Sequence, residues 1–188
     1  MNEPENKNVG TRKKIALDKG RSGRNSLRQK NILEFDRSKT AMTLDYIFGV
    51  DVSECLDFDR ISFVHSRKTG RIRQLEDIGS GKVLFTYRPN GTIAPTIAGA
   101  SMLLSGRRNR KVRWVVTVID GVSEIVSSGR TVFCKHVISC SDSLRAGEDV
   151  VVLNGKKEIL AVGRSVVNGI VMKQFKRGQA VKVREGVH

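Results

Sequence analysis

The stretch Val150–Arg184 does most to limit what this chain can fold into. It reads as a β-hairpin turned on Asn154-Gly155, a pair that tolerates the positive φ values of a tight type I′ turn. A short amphipathic helix follows from about Asn168, with Val171 and Phe175 four apart on one side. After the turn Lys176-Arg177-Gly178 comes a last strand, Gln179–Arg184. Its two-residue period places Lys182 and Arg184, with Ala180, on one face and Val181 and Val183 on the other. One face can enter a core, and the other can aim charge at phosphates in a fixed register.

Charge narrows the choice of partner. The formal net charge is +15 over 188 residues, with a pI near 10.2, so a polyanion is expected: RNA, DNA or an anionic membrane. No apolar run approaches the length of a membrane span, and the N-terminus has no apolar signal region. A soluble, cytoplasmic protein is the expectation. Cys55, Cys134 and Cys140 are odd in number and lack CxxC spacing, which points to reduced, structural thiols. No metal or other cofactor is expected.

Taken in order, residues 1–37 form a basic tail, with 11 Lys/Arg against 5 Asp/Glu in the first 40 residues. Few apolar side chains are available there to offset ordering entropy, so a disordered segment is expected, either a solvated tail or an arm that condenses on RNA phosphates. Residues 38–107 read as a small α+β domain. A helix capped by Ser38 or Thr40 stops at Gly49; strands follow at Ile61–His65, Arg71–Leu75 and Lys82–Tyr87; and Thr96 caps a helix carrying Ile97, Ala100 and Leu104. Arg71 and Arg73 share a strand face by period. The run Gly106–Arg113 holds five basic residues in eight and is either a solvated linker or a phosphate-contacting junction. Residues 108–188 form the second domain. It opens with a strand, Trp114–Ile119, apolar on both faces, and a helix capped by Asp120 that carries Val122, Ile125 and Val126 and ends at Gly129.

These residues carry a resemblance. Leu160-Ala161-Val162-Gly163-Arg164, the Asn168-Gly169 helix start and Phe175–Arg184 resemble a PUA domain, a small RNA-binding β-barrel, and Gly129–Val137 is similar to its segment after the first helix. His136 departs from the pattern, which more usually has an aromatic there. Tyr46-Ile47-Phe48-Gly49, His65–Arg73 and Phe85–Pro89 through Thr96–Ala100 are similar to the domain that precedes PUA in archaeal tRNA-guanine transglycosylase, the archaeosine-forming enzyme. The resemblance implies an α+β fold, a small α+β domain followed by a PUA-type β-barrel. It also implies a tRNA partner, gripped at the acceptor stem and single-stranded 3′ end.

The catalytic carboxylates and zinc site of that family belong to a large region with no counterpart here. Other chemistry is weakly signalled. Asp57 and Asp59 flank a strand as surface carboxylates do, Gly79-Ser80-Gly81 reads as a turn, and Cys134 and His136, two apart on one strand face, stand too far apart at roughly 6.5–7 Å for a direct hydrogen bond. The expectation is therefore a non-catalytic, tRNA-binding accessory subunit. Its separate catalytic partner would be the transglycosylase core or the related archaeosine synthase. The alternative is a free-standing RNA-binding factor in ribosome assembly or translation. Expected RNA contacts are Arg130, Lys135, Arg164, Lys173, Lys176, Arg177, Lys182 and Arg184, with Arg67, Arg71 and Arg73 from the first domain.

Overall fold

The computed structural model describes residues 9–105 and 112–188, with side chains from residue 29 onward. The run Gly106–Lys111, most of the basic stretch singled out above, lies outside the described residues, as do residues 1–8. Helix α1 spans Val9–Phe48, so the structure replaces the expected disordered tail with helix from Val9 onward. The physical reason is local: nothing in Val9–Phe48 is a proline, and Lys, Arg, Leu, Ala and Gln favour helix. Ser38 and Thr40 consequently sit inside the helix and cap nothing. Gly49, at φ 113°, does end it.

Residues 40–188 form one unit carrying two sheets. In the first, β1 (Ile61–His65), β2 (Ile72–Asp77), β3 (Val83–Tyr87) and β4 (Ile93–Pro95) form an antiparallel meander in sequence order. Helix α2 (Ile97–Ser105) lies against it. The Thr96 hydroxyl accepts the Gly99 N–H at 3.2 Å and donates to the Val83 carbonyl, as a cap should. Gly99 is required by contact: a Cβ there would stand 2.0 Å from the Leu84 carbonyl oxygen. From the α1 end, the Thr40 hydroxyl meets the Tyr87 hydroxyl at 2.8 Å.

The second sheet has six strands, β5 (Val115–Val118), β6 (Val132–Phe133), β7 (Val137–Cys140), β8 (Asp149–Leu153), β9 (Ile159–Ser165) and β10 (Gln179–Gly186). Their order, β6-β10-β9-β8-β5-β7, nearly closes into a barrel. Helix α3 (Ser123–Ser127) and helix α4 (Gly169–Gln174) flank it. The expected cap Asp120 instead opens a 3-10 turn, and its carboxylate accepts the Gly155 N–H at 2.8 Å. The β8–β9 hairpin forms, but not on a two-residue Asn-Gly turn. Its left-handed residue is Lys157 (φ 66°), and Asn154 closes a longer loop by exchanging side-chain and backbone hydrogen bonds with Glu158.

All five residues of strand β8 are buried, and the four from Val150 to Leu153 are accordingly apolar. Because successive side chains point to opposite faces, Val150 and Val152 enter the barrel core with Val116, Val181 and Met172. Val151 and Leu153 face a second core with Leu44, Phe48, Phe85, Leu103 and Trp114. Each such side chain contributes about 1.5–3 kcal/mol on burial, so this one strand fastens the barrel to the meander. Trp114 completes the seam, donating its indole N–H to the Phe48 carbonyl at 2.8 Å and packing edge-on to the Phe48 ring.

Candidate nucleic-acid interface

The expected contact residues separate into groups with different fates. The first group gathers around the end of α4. The Asn168 carboxamide caps that helix by accepting the Val171 N–H at 2.9 Å. Phe175 terminates it, and Gly178, at φ 98°, swings the chain into β10. There the Cys134 N–H donates to the Gly178 carbonyl at 3.0 Å, and Gln179 pairs with Phe133. Those two links bring Lys135 beside the turn that carries Lys176 and Arg177. All three cations are exposed, and none has a carboxylate partner among the described residues. Phe175 is 55% exposed and Phe133 42%. The four-residue spacing placed Phe175 with Val171 on the apolar, packing side of the helix. Met172 fills that packing role instead. Arg130, exposed after the left-handed Gly129 (φ 87°), lies just before β6.

The second group lies across the barrel wall. Lys182 pairs in register with Arg164, which pairs in turn with Asp149, so three strands carry a row of charges. Lys182 is exposed, and the Arg164 Nε–H donates to the Gly147 carbonyl at 2.5 Å. Arg184 departs from expectation. A bulge between Val183 and Glu185 breaks the alternation that placed it with Lys182, and bulges re-aim side chains. Its guanidinium donates to Asp149 Oδ1 at 2.8 Å and to the Pro95 carbonyl at 2.5 Å. Ala180, expected on the same face, is buried.

Asp149 is the residue the sequence reading missed. It is 5% exposed and holds Arg88 through both oxygens, at 2.5 and 2.6 Å, as well as Arg184. The carboxylate raises the Arg88 pKa beyond its already high ordinary value, against the pull of burial. Paired, geometrically forked contacts of this kind are the strong form of ion pair. Lys173 is likewise engaged, by Asp142, which raises its pKa.

The third group, Arg67, Arg71 and Arg73, is exposed on the hairpin joining β1 and β2. Arg71 belongs to the turn, where its carbonyl accepts the Ser66 N–H at 2.8 Å, and only Arg73 lies on β2.

Cys134 and His136 form a 3-10 turn, not the expected strand face, and burial pushes the Cys134 thiol up, away from the reactive thiolate. Cys140 is shifted up for the same leading reason. Asp57 accepts the Asp59 N–H at 3.1 Å, a local turn role. Among the described residues no His, Cys, Asp and Glu gather as a metal site, and no helix is long and apolar enough to cross a membrane.

The nearly closed barrel with its capped α4 is a PUA domain, and that family matches residues 114–187. Residues 33–108 match the patch-forming domain C2 of tRNA-guanine transglycosylase, so the chain carries regions matching these two domains, C2 first and PUA second. It is 37% identical over 153 residues to the tRNA-guanine(15) transglycosylase of Methanocaldococcus jannaschii, covering 81% of this chain and 23% of that protein. With the enzyme of the same name from Methanothermobacter thermautotrophicus the identity is 31% over 152 residues, covering 80% and 23%. The chain thus spans under a quarter of the length of these relatives. Among solved structures, a hypothetical protein of Pyrococcus horikoshii OT3 superposes with a TM-score of 0.66 at 24% identity, covering 81% of this chain and 90% of that one. A PUA domain from Aeropyrum pernix K1 gives 0.57 at 16%, covering 81% of each. At such identities they speak for the fold.

Proposed function

We propose that this chain is a tRNA-binding accessory subunit of archaeal archaeosine formation, gripping tRNA while a separate catalytic polypeptide exchanges or converts the base. The observation that supports the tRNA-binding part of this reading is the pairing of a C2 domain and a PUA domain, both similar to regions of tRNA-guanine(15) transglycosylases. The division falls between a first domain of residues 38–107 and a PUA domain of 108–188. No residue set for base exchange is assigned to it.

The grip combines phosphate neutralisation with shape reading, the usual basis for recognising folded RNA. Lys135, Lys176, Arg177, Arg130 and Lys182, which have no carboxylate partner among the described residues, supply its cations, and Arg67, Arg71 and Arg73 provide a further basic hairpin. Phe133 and Phe175 add what a helical stem does not need and an unpaired 3′ end does: exposed rings on which bases stack, at about 1–3 kcal/mol per base. Lys173 and Arg184 already hold carboxylates, Asp142 and Asp149.

The deciding experiment is guanine exchange by a candidate transglycosylase core with and without this chain, alongside tRNA binding at several salt concentrations. If about five phosphates are neutralised, log K falls with log salt at a slope of roughly −3.5 to −4.5. Exchange unaffected by the chain, with tRNA binding retained, would transfer the role to archaeosine synthase, assayed in the same way. A second reading is a free-standing factor of ribosome assembly or translation. It calls for co-purification with ribosomal particles in place of tRNA.

A further inference from the structure

A cleft of ≈ 360 Å³ opens where the meander meets the barrel, lined by Tyr46, Arg88, Arg113, Arg145, Glu148, Asp149 and Arg164. Its charges do not cancel. Asp149 is taken by Arg88 and Arg184, and Glu148 by Arg113 at 3.4 Å, while Glu148 also accepts the backbone N–H of Arg145 at 3.0 Å. Both carboxylates are thus engaged, and two guanidinium groups remain. Arg164 spends one N–H on the Gly147 carbonyl, and the Arg145 guanidinium has no partner among the described residues. Arg164 also stands between Lys182 on one neighbouring strand and Asp149 on the other, and that carboxylate is already held by Arg88 and Arg184. Tyr46, 86% exposed, supplies an aromatic ring at the same cleft.

An aromatic ring beside uncompensated guanidinium groups in a cavity this small fits one kind of guest. Small-molecule sites run from about 300 to 1,000 Å³, which makes the space suitable for a single nucleotide and too narrow for a helix. We propose that the cleft receives one unstacked nucleotide of a single-stranded RNA segment, its base on Tyr46 and its phosphate between Arg145 and Arg164. Forked guanidinium contacts suit a phosphate, and ring stacking accepts any base. The proposal rests on the RNA-binding reading and adds to it a defined site away from the turn Lys176-Arg177-Gly178.

The test uses the whole chain and a labelled short single-stranded RNA, followed by fluorescence anisotropy, with tRNA binding measured in parallel. Tyr46→Ala and Arg145→Ala should each weaken the oligonucleotide by at least about fivefold. Tyr46→Phe should bind like the original and serves as the control for folding. Adenosine monophosphate should compete better than inorganic phosphate at equal concentration. Oligonucleotide affinity unmoved by both alanine variants, with tRNA still bound, overturns the cleft alone. Equal competition by phosphate removes the base-binding half of the proposal. Failure to bind RNA of either kind sinks the underlying reading together with the cleft.

Discussion

The corner of the barrel around Phe175 and the seam around Asp149 are both rich in basic side chains, yet they use them in opposite ways. At the seam Arg88 and Arg184 converge on a buried carboxylate, and Arg113 reaches Glu148 and the Ile47 carbonyl. At the corner Lys135, Lys176 and Arg177 face solvent beside two exposed phenylalanines, with no carboxylate partner among the described residues. Positive charge in this chain thus has two jobs, holding the meander to the barrel and waiting for an anion. Only the partner of each cation tells them apart.

The comparison breaks most sharply at Asp149. Asp149→Ala should cost about 3 kcal/mol in denaturant unfolding, the lower end for a buried pair broken from one side, because Arg88 and Arg184 keep some access to water. The corner replacement, Lys135→Ala with Lys176→Ala and Arg177→Ala, should do the reverse. Affinity for tRNA should fall about tenfold or more and the salt slope flatten by up to roughly 2.7, while stability moves by no more than about 0.5 kcal/mol per site. Unchanged tRNA binding in this triple variant would remove the corner from the proposed grip. Arg184→Ala sharpens the contrast, since it should lower the melting temperature and leave the salt slope as it was; a flattened slope would return Arg184 to the RNA surface.

The smallest effect is at Asp77. Hydrogen bonds from the Ser80 side chain and backbone hold its carboxyl below the usual range, burial opposes this, and Arg60 and the Gly79 N–H assist. Because the folded pKa is depressed, the contribution is complete above the ordinary carboxylate pKa of about 4 and is lost as pH falls further. Asp77→Asn should therefore flatten the acid limb of a stability curve below about pH 4 and leave its neutral part nearly level.

Several local signals were read well because they act locally, although the caps expected at Ser38, Thr40 and Asp120 and the Asn154-Gly155 turn did not form. The Asn168 cap, the Gly49 and Gly129 stops and the strands of the meander all follow from neighbours a few residues away. Strand β4 was missed: at three residues, directly after a Pro-Asn-Gly turn and ending in Pro95, it offers no period to detect. The parallel pairing of β5 with β8 is equally silent, since nothing in an apolar run names its neighbour. Arg184 was assigned to RNA because its alternation with Lys182 was visible. The bulge and the partner that redirect it were not, Asp149 lying 35 residues before Arg184 and 61 after Arg88. Phe175 was assigned to packing by a four-residue spacing from Val171, although the helix ends just before it and turns its ring outward.

The chain has a single tryptophan, and it sits in the seam with its ring centroid 5.7 Å from that of Phe48. Its emission is therefore an internal gauge of whether meander and barrel remain docked. Undocking would wet the indole and shift its fluorescence to the red while both sheets kept their circular dichroism, so one cuvette measurement separates the opening of the molecule from its unfolding.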